Sequence, residues 1–328
     1  MSVPFCNSKA FKIDSPELYE KVFLECEKIF NLKLKRGYFP GPQPVAIENK
    51  DITGIQNGGY MVCEKTDGER AILLLINIDN KPMCFIINRN NELYFMDLLF
   101  KKEVFEGSIF DGEIIKTKKD TWNYVIHDCM SYNGVSFLEQ SHRLRYSCII
   151  DFIVKRYVNK PTDCFNVKTK IFYKFGNQLN KTWDHIKKTT ENKIDGLVFT
   201  PVDHPIVFGR DNKLFKWKQE HTIDFFIKRE NKKINLYGTR KGEMYIFKTL
   251  DKKNEKIIED FVTKPKLKKG CIVECKIDDG LYIAYRIRDD KSQPNSELTI
   301  KNTLINIEEA ITITDLIQLG LNMENLKI

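Results

Sequence analysis

Apolar residues recur along this chain at two spacings, and the spacings divide it into elements. Asp14-Ser15-Pro16-Glu17 opens a helix: Ser15 caps, Pro16 suits the first helical position, and Glu17 and Glu20 meet the positive end of the dipole. Leu18, Val22, Cys26 and Ile29 follow as one apolar stripe. Phe39-Pro40-Gly41-Pro42-Gln43-Pro44 breaks regular structure and predicts an extended or turning segment. From Tyr60 the period shortens to that of strands. Tyr60–Cys63, Ala71–Asn77, Met83–Asn88, Leu93–Asp97, Ser108–Ile115 and Asn123–Cys129 are short apolar runs separated by Asn, Gly, Lys and Asp. A second helix starts at Ser141, with Leu144, Cys148, Ile149 and Phe152 expected to face inward. A third carries Leu179, Trp183 and Ile186, and Gly196–Thr200 and Lys213–Trp217 return to strand.

Beyond His221 the pattern changes to short strands with sharp turns: Thr222–Lys228, Lys233–Thr239, Glu243–Thr249, Cys271–Ile277 and Leu281–Arg288, with a short helix at Ile257–Val262. Five strands and one helix in such a span predict a small β-barrel of the OB type. Thr314 is a cap for a final helix, Asp315–Leu321. The expected organisation is an α+β domain over residues 1–220, of antiparallel sheets flanked by helices, and an OB-fold domain over 221–310. The closing helix, 311–328, is expected to pack back on the first domain.

Composition narrows the class. Apolar content of 42% and charged content of 30% are those of a globular protein. No apolar run approaches the roughly 20 residues that span a bilayer, so no membrane segment is expected. Met1-Ser2-Val3-Pro4-Phe5 does not read as a signal peptide. Nine irregularly spaced cysteines without a CxxC pair argue against a disulfide framework and for a reducing compartment, cytoplasmic or nuclear. His127, His142, His185, His204 and His221 are scattered, without the spacing of a structural zinc site. A net charge of +8 fits an anionic partner such as a nucleotide or nucleic acid.

Three strands carry like charges two residues apart, hence on one face: Asp111 and Glu113, Lys216 and Lys218, Arg286 and Arg288. Like charges side by side repel unless something opposite lies between them. A nucleoside triphosphate with a divalent metal would supply it, phosphates for the cations and metal and sugar hydroxyls for the carboxylates. Each pair alone reads equally as a solvated strand surface. Lys65-Thr66-Asp67-Gly68, in a predicted turn, adds a lysine, with Arg70 close by. Ringed by Arg70, Lys216 and Lys218 in a water-poor site, that amine would lose its proton more easily and could attack an α-phosphate. Lys264–Lys269 reads as a basic, solvated loop, and Trp122, Trp183 and Trp217 as core.

The order Lys65-Thr66-Asp67-Gly68-x-Arg70, Phe110-Asp111-Gly112-Glu113, Tyr124–Asp128, Asp195-Gly196-Leu197-Val198-Phe199, Lys216-x-Lys218 and Arg286-x-Arg288-Asp289-Asp290-Lys291 resembles the covalent nucleotidyltransferase superfamily of DNA ligases, RNA ligases and mRNA capping guanylyltransferases. Phe39-Pro40-Gly41-Pro42-Gln43-Pro44-Val45 and the run from Arg286 to Asn295 are similar to the capping branch. Gly68-Glu69-Arg70 is the ending common in ligases, so an ATP-dependent polynucleotide ligase with a lysyl-AMP intermediate stands as the alternative, and a non-catalytic RNA-binding relative as a third reading.

The resemblance implies an mRNA guanylyltransferase. Lys65 takes GMP from GTP, releases pyrophosphate, and passes GMP to a 5′-diphosphate RNA end to give the GpppN cap. Arg70, Asp111 and Glu113 bind the nucleotide, with Glu113 on the ribose. Asp195 holds a divalent cation, Mg2+ or Mn2+, and Lys216 and Lys218 bind the α-phosphate. Arg286, Asp290 and Lys291, on a mobile OB domain hinged near Lys218–Thr222, orient the β- and γ-phosphates. The implied partners are a separate RNA triphosphatase and cap methyltransferase, since neither activity has a motif here, and the implied state is a monomer. Length and the richness in Lys, Asn and Ile suit a compact viral type, at a viral factory or virion, or a piece of a larger capping protein.

Overall fold

A computed structural model describes residues 2–6, 8–160 and 162–325. Two compact units form: the first from residues 1–46, 52–217 and 314–328, the second from 47–51 and 218–313. In chain order, unit one contains β1 (Ser2–Phe5), β2 (Ser8–Lys12), α1 (Pro16–Phe30), β3 (Pro42–Ala46), α2 (Ile52–Asn57), β4 (Tyr60–Thr66), β5 (Glu69–Ile78), β6 (Lys81–Asn88), β7 (Leu93–Phe95), β8 (Ser108–Lys116), β9 (Trp122–Tyr132), β10 (Val135–Ser136), α3 (His142–Lys155), β11 (Asn166–Thr169), β12 (Tyr173–Lys174), α4 (Leu179–Thr189), β13 (Ile194–Pro201) and β14 (Gly209–Lys218). Unit two contains β15 (Thr222–Glu230), β16 (Lys233–Arg240), β17 (Glu243–Thr249), α5 (Lys252–Phe261), α6 (Lys264–Lys269), β18 (Cys271–Asp278), β19 (Leu281–Ile287) and α7 (Glu297–Glu309); α8 (Ile313–Asn325) returns the chain to unit one.

Unit one is built on two sheets. The larger has the order β1-β2-β7-β6-β5-β8-β9-β10, with β11 beside β9. Its central strand β5 is buried along nearly its whole length, because both of its faces are covered. Leu73 and Leu75 join Phe110, Ile126 and Phe152 in one core, whereas Ile72, Leu74 and Ile76 join Val22, Phe23 and Cys26 of α1 in another. That is why β5 reads as an unbroken apolar run rather than an alternating one. The smaller sheet has the order β12-β4-β13-β14-β3. Most pairings are antiparallel; β11 with β9 and β3 with β14 are parallel.

The two sheets are joined where β4 runs into β5. Asp67 and Gly68 make that crossing, and Asp67 N–H donates to the Lys193 carbonyl at 3.0 Å. A Cβ on Gly68 would lie 2.7 Å from Ile115 Cγ1 and 2.8 Å from the Ile114 carbonyl oxygen, so only glycine lets the chain pass this close to β8. Lys65, expected in a turn, instead lies in β4, one residue before its end.

Unit two has the sheet order β17-β16-β15-β18-β19, all antiparallel, with α5 and α6 between β17 and β18 in the chain. This is the strand order and helix position of an OB-fold. Ile223, Phe225, Ile234, Leu236, Val273 and Cys275 fill it, with Ile258, Leu267 and Ile300 from the helices.

Three local expectations need correction. Leu144 is half exposed rather than inward; the buried face of α3 carries His142, Arg145, Ile149 and Phe152. Arg145 is drawn in by Asp128, to which it donates at 2.7 Å and 3.1 Å. Lys264–Lys269 is a helical turn and not a loop, because Thr263 and Pro265 start it and Leu267 anchors it in the core. α7 was not expected. Among the described residues, no helix is long and apolar enough to cross a membrane.

Candidate active site

A cleft of about 110 Å3 lies between the two sheets of unit one. Cys63 and Lys65 of β4 line it, alternation carrying both side chains to one face. Val198 and Thr200 of β13, Leu214 of β14 and Pro42 and Pro44 of β3 complete that wall. Arg70, Glu113, His127 and Asp128 face them from the larger sheet, and Lys170 and Phe172 close the cleft.

Two β-bulges aim charged or titratable side chains at this space. In the pairing of β13 with β4, Thr66 faces Ile194 and Lys65 faces Gly196, which leaves Asp195 as the extra residue. Its carboxylate accepts from Lys65 Nζ at 2.7 Å and 2.9 Å. In the pairing of β8 with β9, Asp111 faces Asp128 and Gly112 faces Ile126, which leaves His127 as the extra residue. His127 Nε2 lies 3.2 Å from Asp111 Oδ1.

Arg70 and Asp111 form the innermost pair. Arg70 sits opposite Glu113 in the ladder and reaches diagonally to Asp111, with Nε at 2.9 Å from Oδ1 and Nη2 bonded to Oδ2. Phe39–Val45 explains itself here. The Arg70 guanidinium lies 5.2 Å from the Phe39 ring centre and donates to the Pro42 carbonyl. A Cβ on Gly41 would come within 2.8 Å of Arg70 Nη2. Burial pushes the Asp111 carboxyl up, but the charges of Arg70 and His127 and their hydrogen bonds more than offset this and hold it well below the usual range.

Glu113 belongs to a second buried group. Thr66 Oγ1 donates to its carboxylate, and Lys170 Nζ lies 3.4 Å away. Lys170 also donates to the Glu64 carbonyl at 2.9 Å and to Thr66 Oγ1 at 2.7 Å. Desolvation acts against the charge on both Glu113 and Lys170. Their mutual attraction outweighs it, lowering the carboxyl and raising the amine.

Lys65, Arg70, Asp111, Glu113 and Asp195 are thus gathered at one cleft. The contact made by Lys65 Nζ is a carboxylate, not the ring of cations expected around it. Lys216 is half-buried on the face of β14 that carries Leu214, and Lys218 continues that face at the strand's last residue. Between them Trp217 turns away and meets Trp183 edge-on, 5.8 Å between ring centres. Arg286, Asp290 and Lys291 belong to unit two and form an ionic cluster there. Arg286 donates to Glu274 at 3.0 Å, Arg288 binds Asp224 and Asp290, and Lys291 binds Asp224. The charge between Arg286 and Arg288 is thus supplied by Glu274, 2.9 Å from one and 3.7 Å from the other.

Sequence reasoning missed Lys170, Phe172 and the role of His127. Lys170 stands in Val167-Lys168-Thr169-Lys170, where alternation alone would have put it opposite Thr169, but nothing marked its face as buried. His127 was hidden because a bulge cannot be read from spacing. Among the described residues no group of three or more His, Cys, Asp or Glu forms a metal cage. Asp195, paired with the cleft residue Lys65, supplies one carboxylate, and that donor fits Mg2+, which takes one or two carboxylates and fills the rest of its shell with water and substrate phosphate.

A two-sheet domain with a lysine on its cleft, followed by an OB-fold, defines a nucleotidyltransferase architecture. The catalytic-domain model of the mRNA capping enzyme matches residues 15–220, and the model of the same enzyme's C-terminal domain matches residues 202–317. The chain belongs to the mRNA capping enzyme family, and it is a nucleotidyltransferase, an mRNA guanylyltransferase. It is 26% identical to the mRNA-capping enzyme subunit alpha of Schizosaccharomyces pombe, over 85% of this chain and 79% of that one. It is 31% identical to the Saccharomyces cerevisiae protein of the same name, over 60% and 50%. With the mouse mRNA-capping enzyme it shares 26% identity over 84% of this chain and 48% of that one. Among solved structures, the ligase domain from M. tuberculosis LigD aligns at a TM-score of 0.37 and 10% identity, over 76% of this chain and 94% of that one.

Proposed function

We propose that Lys65 is the nucleophile of a two-step GMP transfer to RNA. In the first step Lys65 Nζ bonds to the α-phosphorus of GTP while the bond to the bridging oxygen breaks and pyrophosphate leaves. In the second, a terminal oxygen of a 5′-diphosphate RNA attacks the same phosphorus. The P–N bond breaks, GpppRNA forms, and the lysine recovers its proton. What carries this reading is the pairing of Asp195 with Lys65, which lines the cleft together with Arg70, Glu113, His127 and Lys170. The lone pair of Lys65 becomes free only when that ion pair opens and a proton departs. A triphosphate entering with a divalent cation, Mg2+ or Mn2+, competes for Asp195 and favours this opening. Asp195 would hold the cation, which neutralises phosphate charge.

Phe172 and Val198 give the cleft apolar walls for the base and Arg70 gives it a phosphate partner, with Lys216 two residues beyond the lining Leu214 on the same face of β14. Glu113, held by Thr66 and Lys170, suits the ribose hydroxyls. Arg286, Asp290 and Lys291 keep the role on the leaving pyrophosphate that the sequence resemblance gives them. Relatives named subunit alpha suggest partner subunits, for which an RNA triphosphatase and a cap methyltransferase are the complementary activities. The compact viral type is kept as part of the sequence resemblance; the relatives named above are fungal and murine.

The test is labelling. The protein is incubated with α-labelled GTP or ATP and a divalent cation, then denatured. Label is expected from GTP, stripped by pyrophosphate, and lost in Lys65→Ala. Labelling from ATP alone would return the chain to the ligases, and undiminished labelling of Lys65→Ala would remove that residue from its role.

A further inference from the structure

One face of the unit-two sheet is shared between charge and apolar surface, as its ladder registers show. Asp224 faces Glu274, and Glu274 faces Arg286, so the ionic cluster of this unit stands on that face. Phe226, two residues further along β15, points to the same side. It faces Ile272 of β18 on one flank and Tyr237 of β16 on the other, and Tyr237 faces Ile246 of β17. Apolar or aromatic side chains therefore cross four strands in one row. Phe226 and Tyr237 are partly buried and meet edge-on with 5.9 Å between ring centres. Ile246 is half exposed, as is Met244, the next residue of β17 on this face.

Along the strands, the two ends of the sheet differ in charge. β15 runs from Thr222, opposite Lys276, to Glu230, opposite Lys233. The β18–β19 turn with Asp278 and Asp279 lies beyond the first end; the β15–β16 turn with Lys232 lies beyond the second. α6 joins β18 on the second side through Gly270, which packs so closely on the Phe226 ring that a Cβ would collide with it. Lys268 and Lys269 at the end of α6 are exposed, as is Lys232, and among the described residues none of the three makes an ion pair. The carboxylates of the face are already matched: Asp224 by Arg288 and Lys291, Glu274 by Arg286, and Glu230 by Lys228 at 2.7 Å.

We infer that this face holds the acceptor RNA as a single strand, bases against the row of Phe226, Tyr237 and Ile246 and phosphates toward Lys232, Lys268 and Lys269. The inference rests on the reading of the previous subsection, which makes RNA the second substrate. β16 and β17 are the second and third strands of an OB-fold, and the face of those two strands is where such folds take oligonucleotides. From Phe226 to Ile246 is two strand spacings, about 10 Å, the length of about three stacked nucleotides. Aromatic rings stack on any base and cations follow the backbone, so the surface holds RNA without reading its sequence. The three lysines favour a polyanion over an apolar peptide, for which Met244 and Ile246 would suffice.

Two measurements separate this surface from the catalytic centre: GMP adduct formation from GTP, which needs no RNA, and affinity for a 5′-diphosphate oligoribonucleotide of about 10 nucleotides, within the site size of one OB-fold. Tyr237→Ala, Ile246→Glu and the double variant Lys268→Ala with Lys269→Ala are compared with wild type in the full chain. Each is expected to form the adduct at the wild-type rate. Tyr237→Ala and Ile246→Glu should weaken RNA binding about tenfold. The lysine variant should make the log–log dependence of RNA affinity on salt shallower by about 1.4, two phosphate contacts on a single strand. Absence of an adduct in wild type would sink the guanylyltransferase reading itself, and the RNA affinities would still test the surface. Normal adduct with unchanged RNA affinity and an unchanged salt slope would overturn the surface alone and leave the apolar row to a protein partner. A loss of adduct equal to the loss of RNA affinity would overturn it too. Ile246, Lys268 and Lys269 are exposed, so those variants keep the test open if Tyr237→Ala folds poorly.

Discussion

Replacing Lys170 with methionine keeps the length of the side chain and deletes its charge. Glu113 then stays in the floor of the cleft without the ammonium that compensates its burial. Breaking a buried pair from one side costs about 3 kcal/mol or more. Lys170→Met should therefore lower the melting temperature by roughly 10 °C, and adding Glu113→Gln should recover part of that loss; a double-mutant cycle by thermal denaturation checks both. Asp111 gives a pH prediction. Its folded carboxyl lies below its unfolded value near 4, so its contribution is full above that value and drains away as the pH falls further. Between about pH 4 and pH 2, wild type should lose stability more steeply than Asp111→Asn, which should already be less stable at pH 7; denaturant midpoints across that range decide it. Lys65, Arg70, Glu113 and Asp195 were visible in the sequence because each sits in a short ordered motif. Lys170 and His127 were not, since one needs a tertiary partner to become buried and the other needs a bulge to be aimed.

Among the elements, the β4–β5 crossing is where sequence and geometry meet most tightly. Gly68→Ala would drive a methyl group against the Ile114 carbonyl and Ile115. The strand ends must shift to make room, at a cost of about 1–3 kcal/mol, and Lys65 lies three residues before the clash. Loss of adduct formation greater than the loss of folded protein, measured on the same sample, is the expected outcome. Elements with both a strong period and a boundary signal were legible: α1 with Ser15 and Pro16, the central strands, and the five strands of unit two. α3 was found with its face rotated, because Leu144 and Cys148 fit a stripe as well as Arg145 and Ile149 do, and only the ion pair to Asp128 decides. α7 was missed for a different reason. Its run Leu298-Thr299-Ile300 through Thr303-Leu304-Ile305 is rich in β-branched residues, which favour strands, and packing of Ile300 overrides that preference.

At the scale of the whole molecule, unit one is closed by a stretch of chain that follows unit two. Leu316 and Leu319 of α8 are buried, and Gly320 sits so close to Gly176 that a Cβ there would lie 2.4 Å from its carbonyl oxygen. Ending the chain after Ile313 should leave unit two intact and loosen the segment from Tyr173 to Gln178. Hydrogen exchange should then quicken in β12 and the start of α4, while the amides of β15 and β18 keep their protection.

That arrangement has a consequence for how the protein comes into being. A ribosome delivers residues 218–313 before 314–325, so the inserted unit is complete while its host still lacks a helix. The nascent chain must hold the edge at Gly176 open for as long as the insert takes to be made. Domains tend to fold as units during synthesis, and here the order of synthesis runs the other way for the catalytic unit: its first strands emerge early and its last support arrives late. A stalled or shortened translation product would therefore carry a finished OB-fold and an unfinished catalytic unit.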